Sequence, residues 1–162
     1  MATLATDLVI GIGKLLTERG ETVSVAESSA GGLIAARLLA VPGASKYFLG
    51  GSVVYTLPSR RAYHDVKRED VAGLAPLSAE IAAVFARSTR ETLGATWGIA
   101  ELGAAGPTGS RYGHDAGTTA IGIDGPRNHS LVTQTGRSER GQNMWDFSEA
   151  ALIAFRETLQ RA

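Results

Sequence analysis

Residues 23–39, Val23-Ser24-Val25-Ala26-Glu27-Ser28-Ser29-Ala30-Gly31-Gly32-Leu33-Ile34-Ala35-Ala36-Arg37-Leu38-Leu39, decide the fold. A short β-like run around Val23 and Val25 gives way to two glycines and then to an apolar stretch, which reads as strand, turn, helix. Pro42-Gly43 stops that helix. Upstream, Leu4, Leu8, Ile12 and Leu16 recur about every four positions, which predicts a helix with one buried face, and Gly20 is placed to end it. Downstream, Gly50-Gly51 leads into residues 52–56, whose β-branched content predicts a second strand. Pro58 suits the first turn of a short helix over 59–66. Ser78 can cap a longer helix through Ile81, Val84, Phe85 and Leu93 that ends near Gly94.

Residues 96–102 and 118–123 read as strands around a Gly-rich loop, 103–117. Pro126-Arg127-Asn128 then turns the chain into 130–135, a predicted hairpin partner. Apolar residues Phe147, Ala151, Ala154, Phe155 and Leu159 predict a closing helix from Met144 to Leu159. Helices alternating with strands, then a run of strands and a last helix, imply an α/β fold: a three-layer α/β/α sandwich with a mixed sheet, one domain over 1–162.

Composition narrows the chemistry. Sixteen Lys+Arg balance sixteen Asp+Glu, which removes the electrostatic case for nucleic acid or an anionic membrane as main partner. With no cysteine there is no disulfide, thiolate nucleophile or Cys-type metal site. No apolar run approaches the ~20 residues of a spanning helix, and the N-terminus lacks a basic leader, so the expected location is the cytoplasm. Chemistry is left to hydroxyls, histidines, lysines and carboxylates.

Two segments can carry it. Glu27-Ser28-Ser29-Ala30-Gly31-Gly32 stands between a predicted strand and a helix N-terminus, where unpaired N–H groups favour an anion or developing oxyanion. Leu102-Gly103-Ala104-Ala105-Gly106-Pro107-Thr108-Gly109-Ser110 also follows a strand and can cradle a phosphate with backbone N–H groups. Neither a GxxxxGK[ST] nor a strand-borne GxGxxG is present, which sets aside P-loop and Rossmann readings. His64 and His114 could each act as a base near neutral pH, although a solvated histidine is the stronger reading for both and for His129; Trp97 reads as core, and Trp145 as either core or ligand platform.

Together the segments resemble the CinA family, competence/damage-inducible proteins whose C-terminal domain includes nicotinamide-mononucleotide amidohydrolases. The family's AESCTGG appears as Ala26-Glu27-Ser28-Ser29-Ala30-Gly31-Gly32, and its D-[IV]-P-G-[SA]-S as the stretch Val41-Pro42-Gly43-Ala44-Ser45. Its G-x-V-x-Y-[ST]-N-E-A-K appears as Gly51-Ser52-Val53-Val54-Tyr55-Thr56-Leu57-Pro58-Ser59-Arg60, and its GIAGPxGG as Gly103-Ala104-Ala105-Gly106-Pro107-Thr108-Gly109-Ser110. The resemblance implies hydrolysis of the carboxamide of nicotinamide mononucleotide to nicotinate mononucleotide and ammonia, with neither metal nor organic cofactor expected. Ser28 would attack the amide carbon, N–H groups around Gly31 and Gly32 would hold the oxyanion, and Tyr55 with a neighbouring base would move protons. Glu27, Ser29, Gly103, Ala105, Gly106, Thr108 and Gly109 would bind the nucleotide. A homo-oligomer, a dimer as first expectation, is implied as well; larger family members carry a further N-terminal domain for which this chain has no room.

The departures matter more than the matches. Arg60 stands where active members carry lysine, and a guanidinium with a pKa above ~12 cannot act as a general base. Ser29 replaces cysteine, Ala30 replaces threonine, Leu57-Pro58-Ser59 replaces Asn-Glu-Ala, and the late G-D-R is represented by Ser138-Glu139-Arg140. The expected function is therefore a CinA-like domain binding a pyridine nucleotide or related phosphate-bearing ligand, with deamidation weakened or lost. The alternatives are a working amidohydrolase and an enzyme for a different amide or phosphate-bearing substrate that uses arginine to grip an anion.

Overall fold

A computed structural model describes residues 3–162. In chain order the elements are α1 (Asp7–Arg19), β1 (Val23–Glu27), α2 (Leu33–Leu39), a 3-10 turn (Ala44–Lys46), β2 (Phe48–Val53), α3 (Leu57–Tyr63), α4 (Arg68–Val71), α5 (Ala79–Leu93), β3 (Trp97–Ala104), β4 (Thr118–Asp124), β5 (His129–Gln134) and α6 (Arg140–Gln160). The five strands form one sheet in the order β2-β1-β3-β4-β5. β1 pairs in parallel with β2 and β3, while β3–β4 and β4–β5 are antiparallel. The mixed sheet of an α/β sandwich is thus present, with the hairpin partner where the turn at Pro126 placed it.

Alternation along the strands sorts the core into two layers. Val23, Val25, Trp97, Ile99, Ile121 and Ile123 face one side, where they meet Ile12, Leu16, Ile34, Leu38, Phe147 and Phe155 of α1, α2 and α6. Trp97 is core, as expected: its ring is edge-on to Phe155 at 5.7 Å, and its indole N–H donates to Glu21 Oε2 at 2.7 Å. On the other side Ala100, Leu102 and Ala120 meet Ala82, Phe85 and Ala86 of α5.

The α5 layer is thin because its contact is backbone on backbone. A Cβ at Gly98 would run into the carbonyl oxygen of Ala86, and one at Gly122 into that of Ala82. Small residues on both surfaces let the helix lie close to the sheet, and close-packed interiors do not absorb added volume there.

Several boundaries differ from expectation: α1 starts at Asp7 and leaves Leu4 outside, and β3 runs on to Ala104. β2 starts at Phe48 and includes Gly50-Gly51, which read as turn residues in sequence; in the sheet they are paired opposite Ser24 and Val25. α3 starts at Leu57 and ends at Tyr63, because Thr56 and Ser59 form a reciprocal capping box and His64 returns to extended backbone. α6 starts four residues before Met144, at Arg140. No helix among the described residues is long and apolar enough to cross a membrane.

Gly122→Ala is expected to destabilise the protein by about 1–3 kcal/mol. Gly11→Ala, at a helical position where a Cβ meets nothing within 4 Å, is expected to stabilise it by about 0.5–1 kcal/mol. Denaturant unfolding midpoints of the two variants check the contrast.

Candidate active site

The connection from β1 to β2 runs through α2 on one face of the sheet, and the connection from β2 to β3 runs through α5 on the other. Adjacent parallel strands whose connections leave in opposite directions open a crevice at their C-terminal ends. Here that crevice lies beyond β1 and β3, between the turn at Ser28 and the loop that starts at Gly103.

Glu101, fully buried on β3, builds the first wall. Its carboxylate accepts from the Ser28 N–H at 3.1 Å, the Ala30 N–H at 2.8 Å, the Thr119 hydroxyl at 3.0 Å and the Ser29 hydroxyl. The turn after β1 is therefore wrapped around a neighbouring strand's side chain. Burial pushes the Glu101 carboxyl up, and those four donors pull it down. Ser29 spends its hydroxyl on this acid, whereas Ser28 is fixed through its N–H.

Glu27, opposite Glu101 in register on β1, does the corresponding work for α2. Its Oε2 accepts from the Ala35 N–H at 3.2 Å, and the Ile34 and Gly32 N–H groups also bear on the carboxylate. The Gly31 N–H is bonded to the Ser28 carbonyl at 3.1 Å. The donors that sequence offered for an oxyanion are turned to the chain's own groups. Glu27 Oε1 is buried without a hydrogen-bond partner.

The second wall comes from β2 and α3. The Val54 N–H bonds the Glu27 carbonyl at 2.8 Å and holds the strand end against β1. Tyr55 then turns outward, 55% exposed, and its hydroxyl accepts from Arg140 Nη2 at 3.0 Å. Arg60 Nε donates to the Val54 carbonyl at 3.2 Å, and its guanidinium lies over the Phe85 ring at 5.6 Å. Burial lowers the Arg60 pKa from its usual value, opposed by the charges of Tyr112 and Glu101.

The loop after β3 closes the third side and is held by α6. Arg140 Nη1 donates to the Gly106 carbonyl at 2.8 Å, and Asn143 Nδ2 donates to the Ala105 carbonyl at 2.8 Å. Gly106 has φ +100° and faces the Ser138 carbonyl so closely that a Cβ would lie 2.6 Å from its oxygen. Only glycine fits that position.

These walls enclose a cavity of about 660 Å³. Ser28, Ser29, Tyr55, Arg60, Gly103, Ala105, Gly106, Thr108 and Gly109 all line it, while Glu27, Gly31 and Gly32 do not. His64 is not the solvated histidine that sequence suggested. It is 6% exposed, bonded to Ser52 Oγ at 2.9 Å and Ser88 Oγ at 3.0 Å, edge-on to Phe85, with its pKa lowered by burial. His114 lies in a tight turn whose N–H donates to Ser110 Oγ at 3.2 Å. Trp145 carries the Arg37 guanidinium over its ring at 5.8 Å and is not part of the cavity.

Sequence reasoning missed Glu101 and Asn143, and noted Arg140 only as a motif remnant. A charged residue inside an otherwise apolar strand was the available signal for Glu101; nothing local marks Asn143.

The CinA C-terminal domain model matches residues 5–159. A CinA-like protein of Acaryochloris marina is 41% identical over 116 residues, covering 72% of this chain and 28% of the relative. One from Chlorobium limicola is 36% identical over 156 residues, covering 93% and 36%. The chain thus spans roughly a third of the length of such relatives. Among solved structures, a CinA superfamily protein from Klebsiella pneumoniae superposes with a TM-score of 0.89 at 24% identity, over 96% of this chain and 98% of that one. One from Escherichia coli gives 0.86 at 23%, over 94% and 88%. The fold is the same.

Glu27 gives the site a pH signature. Burial raises its carboxyl from 4.5 to about 8, against the Ala35 N–H and with the help of the Glu101 charge. Between those values the folded chain holds a proton that the unfolded chain has released, so stability falls as pH rises through the window and levels off above about 8. Thermal unfolding followed from about pH 5 to about pH 9 is expected to show that decline. Glu27→Gln is expected to flatten it, leaving the part that Glu101 contributes with the same sign and the part that His64, its pKa lowered, contributes with the opposite sign as pH rises toward 6.5.

Proposed function

Because the chain belongs to the CinA C-terminal domain family, we propose that its cavity binds a pyridine nucleotide or a related phosphate-bearing small molecule, with deamidation of nicotinamide mononucleotide weakened or lost. Arg60 carries this reading. It lines the cavity at the position of the family's lysine, anchored to the Val54 carbonyl and stacked on Phe85, and it cannot accept the proton of an attacking hydroxyl.

What remains suits binding. Arg111 and Arg140 line the same cavity as the Gly-rich loop, supplying charge beside backbone groups for a phosphate. A volume of about 660 Å³ is within the ~300–1,000 Å³ usual for small-molecule sites. Glu101, the carboxylate bonded to Ser28, takes its N–H and not its hydroxyl, so it does not replace the missing base. The retained amidohydrolase is the second reading, favoured by Ser28 and Tyr55 lining one cavity.

Ammonia release from nicotinamide mononucleotide separates the two. The unmodified protein is expected to turn over at least ~10²-fold more slowly than Arg60→Lys, the scale of a lost general base. Both proteins are expected to bind the mononucleotide by calorimetry. Turnover of the unmodified chain equal to that of the lysine variant would establish the second reading instead.

A further inference from the structure

The cavity does not end at Arg60. Beyond it a second cavity of about 620 Å³ opens between α3, α4 and α5, and the two share Leu57, Arg60, Gly103, Ser110 and Tyr112. The second is walled by apolar side chains, among them Val66, Val71, Leu74, Leu77 and Phe85, with Arg61 and Arg68 beside them. Each cavity alone has the volume of a whole small-molecule site, ~300–1,000 Å³. A mononucleotide seated in the first leaves the apolar one to water.

Charge is segregated in the same place. Arg60, Arg61, Arg68, Arg111 and Arg140 line one cavity or the other, and no Asp or Glu lines either. Among the described residues none of the five is ion-paired with a carboxylate. In a chain whose charges sum to zero this collection is not a matter of composition. Arg60 is half-buried and the other four are exposed, and guanidiniums gathered without an ion-paired carboxylate call for an anion, while the apolar walls call for a group with no charge at all. Arg60, tied by Nε to the Val54 carbonyl and stacked on Phe85, stands at the junction.

We propose that the ligand is an amphipathic anion, with a phosphate-bearing head in the first cavity and an aliphatic or aromatic portion in the second, joined past Arg60. This rests on reading the first cavity as an anion site. It adds that the molecule recognised is larger and more apolar than a mononucleotide.

The test is calorimetry on the full chain with methyl phosphate, octyl phosphate, 1-octanol and nicotinate mononucleotide. Octyl phosphate is expected to bind at least ~10-fold tighter than methyl phosphate, since each buried methylene adds to affinity, and 1-octanol to fall short of it. Val71→Gln and Leu74→Gln, at half-buried positions and checked by thermal unfolding, are expected to erase that advantage while methyl phosphate binding stays within about twofold. Equal affinity for the two phosphates, or an advantage that survives both variants, overturns the proposal. If octyl phosphate gains nothing and Leu74→Gln instead dissociates an oligomer, the second cavity is an interface between copies and the proposal falls. Mononucleotide binding with no octyl advantage overturns the tail and leaves the earlier reading intact. An octyl advantage without mononucleotide binding does the reverse.

Discussion

A carboxylate in the centre of a sheet must gather donors, and the donors of Glu101 organise the site. Ser28, Ser29, Ala30 and Thr119 all bond it, so three consecutive residues of the turn and one of β4 converge on a single side chain. A buried polar group left without its partner costs about 1–3 kcal/mol. That cost binds the chain to a sharp turn after β1 and places Ser28 at the cavity. Ser29, drawn down to the acid, fills the space where residue 103 would carry a Cβ, and residue 103 is glycine.

Arginine at position 60 gains a second meaning in this setting. Arg60 feels the charge of Glu101, and that attraction opposes the penalty of its own burial. A permanently charged, delocalised cation is better suited than a strongly hydrated ammonium to a half-buried place beside an aromatic ring. Arg60 and Glu101 therefore belong to one electrostatic arrangement. Glu27 is the third member, its carboxyl raised by burial and by the Glu101 charge.

Much of this was legible in the sequence and some was not. The helices α1 and α5 are marked by apolar periodicity and by Gly20 and Gly94 at their ends, and both stand where the pattern put them. The loops at Ser28 and Gly103 were legible because glycines between a strand and a helix, or after a strand, have few other uses. The first half of β2 was not: Gly50-Gly51 signals a turn locally, and only pairing with β1, with Leu93 close above Gly50, makes it strand. Histidine at 64 resembles any surface histidine until Ser52 and Ser88, 12 and 24 residues away, bracket its ring. Glu101 was hidden for the same reason: its partners at 28–30 lie more than seventy residues earlier, and no local pattern records so distant a bond.

The α3 helix lines both cavities and α4 lines the second, yet neither contains a buried residue. α3 is attached at its ends, through the Thr56–Ser59 cap and the bracketed ring of His64, and between them by Arg60 alone. Segments with so little buried apolar contact sit at the low end of a protein's ladder of local opening free energies. Amide protons in this wall therefore exchange with solvent through openings that leave the sheet intact.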